Sequence, residues 1–129
     1  MALILVVDDQ PQLLGSIQMT LELAGYRVYT AGTGIEALAV LQTQPIDLIL
    51  TDIGMPHLDG YQLCDRVRAD RRWSAIPLLF LTARGAEEDI RYAKTLGVDD
   101  YLVKPIEPED LLAAVYDWLR AGASRSQHA

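Results

Sequence analysis

Five side chains that can bind a metal or a phosphate lie where apolar runs of strand length end. They are three carboxylates, one hydroxyl and one ammonium group: Asp8, Asp9, Asp52, Thr82 and Lys104. Because the carboxyl ends of parallel strands meet at one edge of a sheet, we expect these groups to converge on one crevice. Three carboxylates this close repel one another at neutral pH unless a cation offsets their charge or their pKa values rise. Oxygen ligands of this kind suit Mg²⁺, which often shares its coordination shell with a phosphate.

The apolar pattern changes period along the chain and predicts five strands that alternate with five helices. The strand runs are short and cover residues 3–7, 26–30, 47–51, 77–81 and 100–103. Between them, apolar residues recur at helical spacing, in segments that begin near residues 11, 35, 59, 86 and 108. The first, third and fourth strand runs are apolar throughout, which is typical of a parallel sheet covered on both faces. We therefore expect an α/β fold, a doubly wound five-stranded parallel sheet with helices on both faces and the second strand at an edge.

The composition limits the class of protein. The chain has 129 residues, the length of one domain, and 50% of them are apolar, which is enough for a buried core. Its net charge of −7 argues against direct nucleic-acid binding by this domain, because phosphate contacts need a basic face. The single cysteine excludes an internal disulfide and suits a reducing compartment. The opening apolar run has no basic residues before it and ends at two aspartates, so it predicts neither a signal peptide nor a membrane span. We expect a cytoplasmic domain over residues 1–121, followed by a flexible tail or linker at 122–129.

The motifs at the predicted strand ends, taken in order, resemble the receiver domain of two-component response regulators, which belongs to the CheY-like superfamily. The similarity covers residues 3 to about 121 and rests on Asp8-Asp9, Asp52 with Met55-Pro56, Asp59-Gly60, Thr82-Ala83 and Lys104-Pro105. Each motif alone is weak, but all of them in this order are highly specific. The resemblance implies a flavodoxin-like (βα)5 fold with the strand order 2-1-3-4-5.

The resemblance also implies a role for each carboxylate. In receiver domains the aspartate that ends the third strand accepts a phosphoryl group from a histidine kinase, and Asp52 has that position here. Asp8, Asp9, Asp52 and the backbone carbonyl of Gly54 would hold Mg²⁺, for which Mn²⁺ can substitute, and no other cofactor is implied. Gly54 departs from the family, which more often has a side chain at this position, so the phosphoryl site would be less covered.

Lys104 and Thr82 are implied to contact the phosphoryl group, and Thr82 and Tyr101 are implied to form the switch. The domain would not be a conventional enzyme, although it would assist its own phosphorylation and dephosphorylation. The implied partners are a sensor histidine kinase or a phosphotransfer protein, and an output domain or protein that binds the face of the fourth helix, the fifth strand and the fifth helix. A phosphorylation-dependent homodimer is a further option. Neither nucleic acid nor a membrane is implied as a direct partner.

Three other functions remain open at this point. A phosphatase of the haloacid dehalogenase type also uses a strand-end aspartate with Mg²⁺, but it needs an acid two residues after the nucleophile, where this chain has Gly54. A flavodoxin-like FMN carrier needs a Ser/Thr/Gly-rich phosphate loop after the first strand, where Asp8 and Asp9 would repel phosphate. A receiver that acts only as a contact module is disfavoured, because every phosphorylation residue is present.

Overall fold

In the part of the chain that the structure describes, five parallel strands form one central sheet. The computed structural model describes residues 1–83 and 94–128, with the backbone alone for 123–128. In chain order the strands are β1 (Leu3–Val7), β2 (Arg27–Ala31), β3 (Leu48–Asp52), β4 (Leu78–Thr82) and β5 (Asp100–Val103). Their spatial order is β2-β1-β3-β4-β5, and each neighbouring pair is parallel. The predicted sheet and its strand order are confirmed, with β2 and β5 at the two edges.

Helices follow β1, β2, β3 and β5 at the predicted positions. They are α1 (Pro11–Leu23), α2 (Gly34–Thr43), α3 (Gly60–Ala69) and a C-terminal helix (Pro108–His128). Side chains just before two of these helices satisfy N–H groups of the first turn. The Thr33 hydroxyl accepts a hydrogen bond from the N–H of Glu36 at 3.1 Å. The Asp59 carboxylate accepts from the N–H of Gln62 at 2.9 Å, and the Gln62 side chain accepts from the N–H of Asp59. Asp59 is therefore the N-cap of α3.

Both faces of the sheet are buried, which explains the continuous apolar runs. Because side chains alternate along a strand, β1 places Leu3, Leu5 and Val7 in the core beneath α2 and α3, and Ile4 and Val6 in the core beneath α1 and the C-terminal helix. All five are almost fully shielded from solvent. Burying one such side chain contributes roughly 1.5–3 kcal/mol, so the sheet is the rigid part of the domain. The polar groups at the strand ends are attached to that rigid frame.

The C-terminal helix extends further than the composition indicates. It continues to His128, through most of the range 122–129 that the sequence predicts as a tail. No proline follows Pro108, and alanine, the best helix former, recurs in this part of the chain. Gly122 lies against the loop before β4, since a Cβ atom there would be 3.1 Å from Pro77 Cγ. The domain boundary at residue 121 stays a prediction. Neither this helix nor any other in the described residues is long and apolar enough to span a membrane.

The sequence predicts a fourth helix at 86–97, between β4 and β5. Residues 84–93 of this connecting segment lie outside the described part of the chain. Arg68 of α3 fixes the point where this segment enters β5. Its guanidinium donates to the Gly97 carbonyl at 2.8 Å and to the Asp99 carboxylate at 2.8 Å. Asp99 also accepts the N–H of Leu78 at 2.9 Å. The start of β5 is therefore held against both α3 and β4.

Two leucines of α1 provide a matched test of this packing. Leu21 is 0% exposed, whereas Leu23 is 83% exposed. We expect Leu21→Ala to lower the free energy of unfolding by about 2–5 kcal/mol, because it leaves a cavity beneath the helix. Leu23→Ala should change it by less than about 0.5 kcal/mol, since no buried contact is lost. Urea unfolding followed by far-UV circular dichroism measures both, and equal losses would show that α1 does not pack by this face.

Candidate functional site

Four strand ends bring the predicted site residues to one edge of the sheet. β1 is followed by Asp8 and Asp9, β3 ends on Asp52, β4 ends on Thr82, and β5 is followed by Lys104. Because neighbouring strands pair in parallel register, these ends lie side by side. Asp8 is buried, Asp9 is exposed, and the exposure of Asp52 is intermediate. The convergence expected from the sequence is therefore present in the structure.

The three aspartates form a cluster whose geometry suits a cation. One carboxylate oxygen from each of Asp8, Asp9 and Asp52 lies within 4.8 Å of the other two. Opposite ligands of an octahedral Mg²⁺ are about 4.2 Å apart, since each Mg–O bond is about 2.1 Å, so small side-chain adjustments are sufficient. Asp8 Oδ1 already accepts the N–H of Gln10 at 2.9 Å, which fixes its orientation. Gly54, two residues after Asp52, is exposed at the start of the next loop. The donor types and their spacing therefore fit Mg²⁺.

The Lys104 side chain bridges two of the three carboxylates. Its Nζ donates to Asp8 Oδ2 at 3.1 Å and to Asp52 Oδ1 at 3.2 Å. Its backbone N–H donates to the Thr82 carbonyl at 2.7 Å, which fixes the end of β5 against the end of β4. The peptide bond from Lys104 to Pro105 is cis. A single ammonium group thus links the ends of β1, β3 and β5.

The buried charges shift the pKa values of both ion-pair partners. Burial raises the pKa of Asp52 above its usual value of 3.8, and the negative charge of Asp8 adds to this, while Lys104 opposes both effects. Burial acts to lower the pKa of Lys104, but the Asp8 and Asp52 carboxylates outweigh it, so this pKa lies above its usual value of 10.5. Lys104 is therefore charged at neutral pH. The ionised form of Asp52 depends on the ammonium group beside it.

Thr82 and Tyr101 lie on the same face of neighbouring strands. Thr82 is opposite Val103 and Phe80 is opposite Tyr101 in the β4–β5 register, and side chains two residues apart on a strand share a face. The buried Thr82 hydroxyl donates to the Ala83 carbonyl at 3.4 Å, which is long for an O–H···O hydrogen bond. Tyr101 is half-buried and packs against the core cluster that contains Phe80. The structure therefore places a weakly bonded hydroxyl on the face that carries Tyr101.

Two contacts are not indicated by the sequence pattern, one at the far end of β5 and one beside Asp52. Asp100 accepts hydrogen bonds from the indole N–H of Trp118 at 3.0 Å and from the N–H of Tyr101 at 2.8 Å, which joins β5 to the C-terminal helix. Gly60, at the start of α3, lies directly against Asp52, since a Cβ atom there would be 2.6 Å from the Asp52 carbonyl oxygen. A glycine in the first turn of a helix is a poor helix former, and that is the signal that could have revealed the close approach.

Comparison with known proteins agrees with this geometry. Residues 4–116 match a family model described as the response regulator receiver domain. The DNA-binding dual master transcriptional regulator RpaA of Synechocystis sp. is 45% identical over 119 residues, which are 91% of this chain and 48% of that protein. The chain spans about half the length of the curated relatives it matches.

Solved structures are similar over nearly the whole chain. The chemotaxis response regulator CheY4 of Vibrio cholerae is 37% identical, with a TM-score of 0.86, over 91% of this chain and 98% of that one. The signal receiver domain of a signal transduction histidine kinase from Syntrophus aciditrophicus is 30% identical, also with a TM-score of 0.86, over 94% of this chain and 92% of that one.

The opposing effects of Asp8 and Lys104 on Asp52 can be separated by titration. In the metal-free protein we expect the pKa of the Asp52 carboxyl, followed by ¹³C NMR of its side chain, to lie above 3.8. Lys104→Met should raise this pKa further, because the attraction of the ammonium group is lost. Asp8→Asn should lower it, because a neighbouring negative charge is lost. If either substitution shifts the pKa of Asp52 in the opposite direction, the electrostatic account of the site is wrong.

Proposed function

The chain belongs to the family of response regulator receiver domains, which act as phosphorylation-activated switches, and from that premise we propose that Asp52 is the residue that accepts the phosphoryl group. The observation that carries this proposal is the position of its carboxylate, partly open to solvent at the end of β3 and 3.2 Å from Lys104 Nζ. Asp8 is buried, and both of its carboxylate oxygens accept hydrogen bonds. Asp52 is therefore the carboxylate that a phosphoryl donor can approach and that already accepts a hydrogen bond from the Lys104 ammonium group.

The transfer needs a nucleophilic oxygen and a counter-charge for the incoming group. An Asp52 carboxylate oxygen attacks the phosphorus of a phosphohistidine on a sensor histidine kinase or a phosphotransfer protein. A P–O bond forms as the donor's P–N bond breaks, and the electron pair of that bond stays on the imidazole nitrogen. The phosphoryl group brings further negative charge to a cluster of carboxylates. Lys104 is placed to exchange its contact with Asp52 for one with a phosphoryl oxygen while it keeps its hydrogen bond to Asp8.

Asp8, Asp9, Asp52 and the Gly54 backbone carbonyl are the groups that would hold Mg²⁺, with Mn²⁺ as a substitute. When bound, Mg²⁺ supplies positive charge that offsets the repulsion between the phosphoryl oxygens and the aspartates. The contribution of the chain itself is placement. The Gln10 N–H and the Lys104 ammonium group each donate a hydrogen bond to one oxygen of Asp8, so the orientation of this carboxylate is set before any metal binds.

Gly54 leaves one side of the site open. A Cβ atom at this position would meet no other atom within 4 Å, so residue 54 does not cover the space beside Asp52. Hydrolysis of an aspartyl phosphate needs a water molecule in line with the bond that breaks. The open side favours that approach. In this way the domain assists its own dephosphorylation as well as its phosphorylation.

The signal would pass through Thr82 and Tyr101. The Thr82 hydroxyl has a long hydrogen bond to the Ala83 carbonyl, and a charge-assisted hydrogen bond to a phosphoryl oxygen is stronger. A shift of Thr82 toward the phosphoryl group changes the packing on the face of the sheet that also carries Tyr101. The surface that changes is then the one formed by the fourth predicted helix, β5 and the C-terminal helix.

The output partner would bind this surface. RpaA, whose name describes a DNA-binding regulator, is about twice as long as the matched region, and an output segment outside residues 1–121 is the partner we propose. A phosphorylation-dependent homodimer on the same surface is a second form of output. The net charge of −7 opposes direct DNA contact by this domain. A cytoplasmic location is supported by the unpaired thiol of Cys64, since thiols persist in a reducing compartment.

Phosphorylation by a small donor tests the role of Asp52. With acetyl phosphate and Mg²⁺, we expect the wild-type protein to gain one phosphoryl group and Asp52→Asn to gain none, because a neutral amide does not attack phosphorus. Intact-mass spectrometry measures the uptake. Asp59→Asn is the matched control, since asparagine also caps α3 and the site is left intact. Wild-type uptake by Asp52→Asn, or an adduct that resists hydroxylamine, would contradict the proposal.

Thermal unfolding with and without Mg²⁺ tests the metal ligands. At about 100 times the Kd, a ligand that binds only the folded state adds about 2.7 kcal/mol to the free energy of unfolding. We expect Mg²⁺ to raise the Tm of the wild-type protein and to change the Tm of Asp9→Asn very little. Asp117→Asn, which removes an exposed carboxylate from the C-terminal helix, should respond like the wild type. A full Mg²⁺ response in Asp9→Asn would exclude Asp9 as a ligand.

A further inference from the structure

The loop between β3 and α3, residues 53–59, carries Gly54 and is held on one side by α3. A Cβ atom at Gly60 would be 2.6 Å from the Asp52 carbonyl oxygen and 2.8 Å from Ile53 Cα, which are both backbone atoms. The N–H of Gly60 also donates to the Ile53 carbonyl at 2.8 Å. The first turn of α3 therefore lies in direct contact with the backbone of Asp52, closer than any residue with a side chain allows.

The same loop is held on its other side by α2. Gly34, the first residue of that helix, is buried, and a Cβ atom there would be 2.6 Å from the Leu58 carbonyl oxygen and 2.9 Å from Leu58 Cδ2. Leu58 and Met55, the two apolar residues of the loop that follow Gly54, are themselves buried. The loop is thus fixed between two helix N-termini by contacts that require glycine on both helices.

The backbone of this loop is tightly constrained, so it cannot easily accommodate a displacement. Leu58 N–H donates to the Pro56 carbonyl at 2.8 Å, which closes a tight turn around His57, and His57 has a φ of 69°. That conformation is uncommon for a residue with a side chain, and the surrounding contacts must hold it in place. Gly54 itself touches nothing at its Cβ position, so its carbonyl is oriented by the rest of the loop.

From these contacts we infer that Gly34 and Gly60 are positioning residues of the phosphoacceptor site, an inference that rests on the proposed function. A Cβ atom at either position needs a separation of about 3.5 Å from atoms that now lie at 2.6 Å, so the two backbones must move apart by about 0.9 Å. Functional groups have to be held within about 0.5 Å of their productive geometry. An alanine at Gly34 therefore displaces the loop that carries the Gly54 carbonyl, although Gly34 touches neither metal nor phosphate.

If Gly34 and Gly60 had only a structural role, alanine substitutions there would lower the stability of the fold and leave the site unchanged. A third glycine distinguishes a structural role from a positioning role. Gly25 has a φ of 97°, and no atom lies within 4 Å of its Cβ position. It joins α1 to β2 at the amino ends of the strands, whereas Asp52 lies at their carboxyl ends. Gly25→Ala strains the backbone and destabilises the fold without reaching the site. Gly15→Ala, on the exposed side of α1 with nothing within 4 Å, is the control for the substitution itself.

The experiment compares the wild-type protein with Gly15→Ala, Gly25→Ala, Gly34→Ala and Gly60→Ala at a temperature where circular dichroism shows each to be folded. Calorimetry gives the Kd for Mg²⁺, thermal unfolding gives the Tm, and intact mass gives the rate of phosphorylation by acetyl phosphate at saturating Mg²⁺. We expect Gly34→Ala to raise the Kd and to lower the rate by about ten-fold or more, as substitutions behind a metal ligand do. Gly25→Ala should lower the Tm and keep the wild-type Kd and rate.

Gly60→Ala gives an independent result from the other helix. If Gly60→Ala does not fold, the result for Gly34→Ala alone tests the inference. A Gly34→Ala protein with the Kd and rate of Gly25→Ala would overturn the inference and leave the proposed function intact. A wild-type protein that takes up no phosphoryl group would overturn the proposed function itself. Loss of Mg²⁺ affinity in both Gly34→Ala and Gly25→Ala would also overturn the inference, because it would trace the effect to general destabilisation.

Discussion

Electrostatic repulsion among three carboxylates at one edge of a sheet is the constraint on which the rest of the structure depends. Asp8, Asp9 and Asp52 lie close enough to share a cation, and the ammonium group of Lys104 hydrogen-bonds to two of them. An exposed pair of this kind would contribute little. Asp8, however, is buried, and removing the partner of a buried charge costs about 3–5 kcal/mol. Loss of the Lys104 ammonium group alone would therefore destabilise the fold, and the negative charge that this group leaves unbalanced suits a cation.

Such a cluster needs a frame that does not relax to separate the charges. The central strands provide it, because β1, β3 and β4 are buried on both faces. β5, at the edge, is only half-buried along its length, and it carries Tyr101, one of the two residues proposed to transmit the signal. Trp118 donates a hydrogen bond to the first residue of β5, Asp100. Arg68 donates one to Asp99, the residue just before the strand. These contacts hold the start of β5 against the C-terminal helix and α3.

The sequence predicts most of this frame because the frame depends on local patterns. Continuous apolar runs predict β1, β3 and β4. The polar residues that follow the strand runs predict that Asp8, Asp52 and Lys104 converge, as they do. Contacts between residues far apart in the chain have no such signal. Nothing in the local pattern around residues 34 and 58, or 100 and 118, shows that these pairs meet. The small polar residues of 122–129 favour a tail by composition, whereas the structure continues the helix to His128. Composition does not reveal that Gly122, the first residue of this range, lies against Pro77 in the loop before β4.

A crystal structure of the protein with Mg²⁺ and beryllofluoride, which mimics a phosphoryl group, tests most directly the claim that Asp52 accepts phosphate beside Lys104. The account predicts beryllium bonded to a carboxylate oxygen of Asp52, with Lys104 Nζ within hydrogen-bond distance of a fluorine. Asp8 should keep its hydrogen bond from Gln10. Beryllofluoride bonded to a different aspartate, or bonded to Asp52 with Lys104 turned away into solvent, would contradict the account.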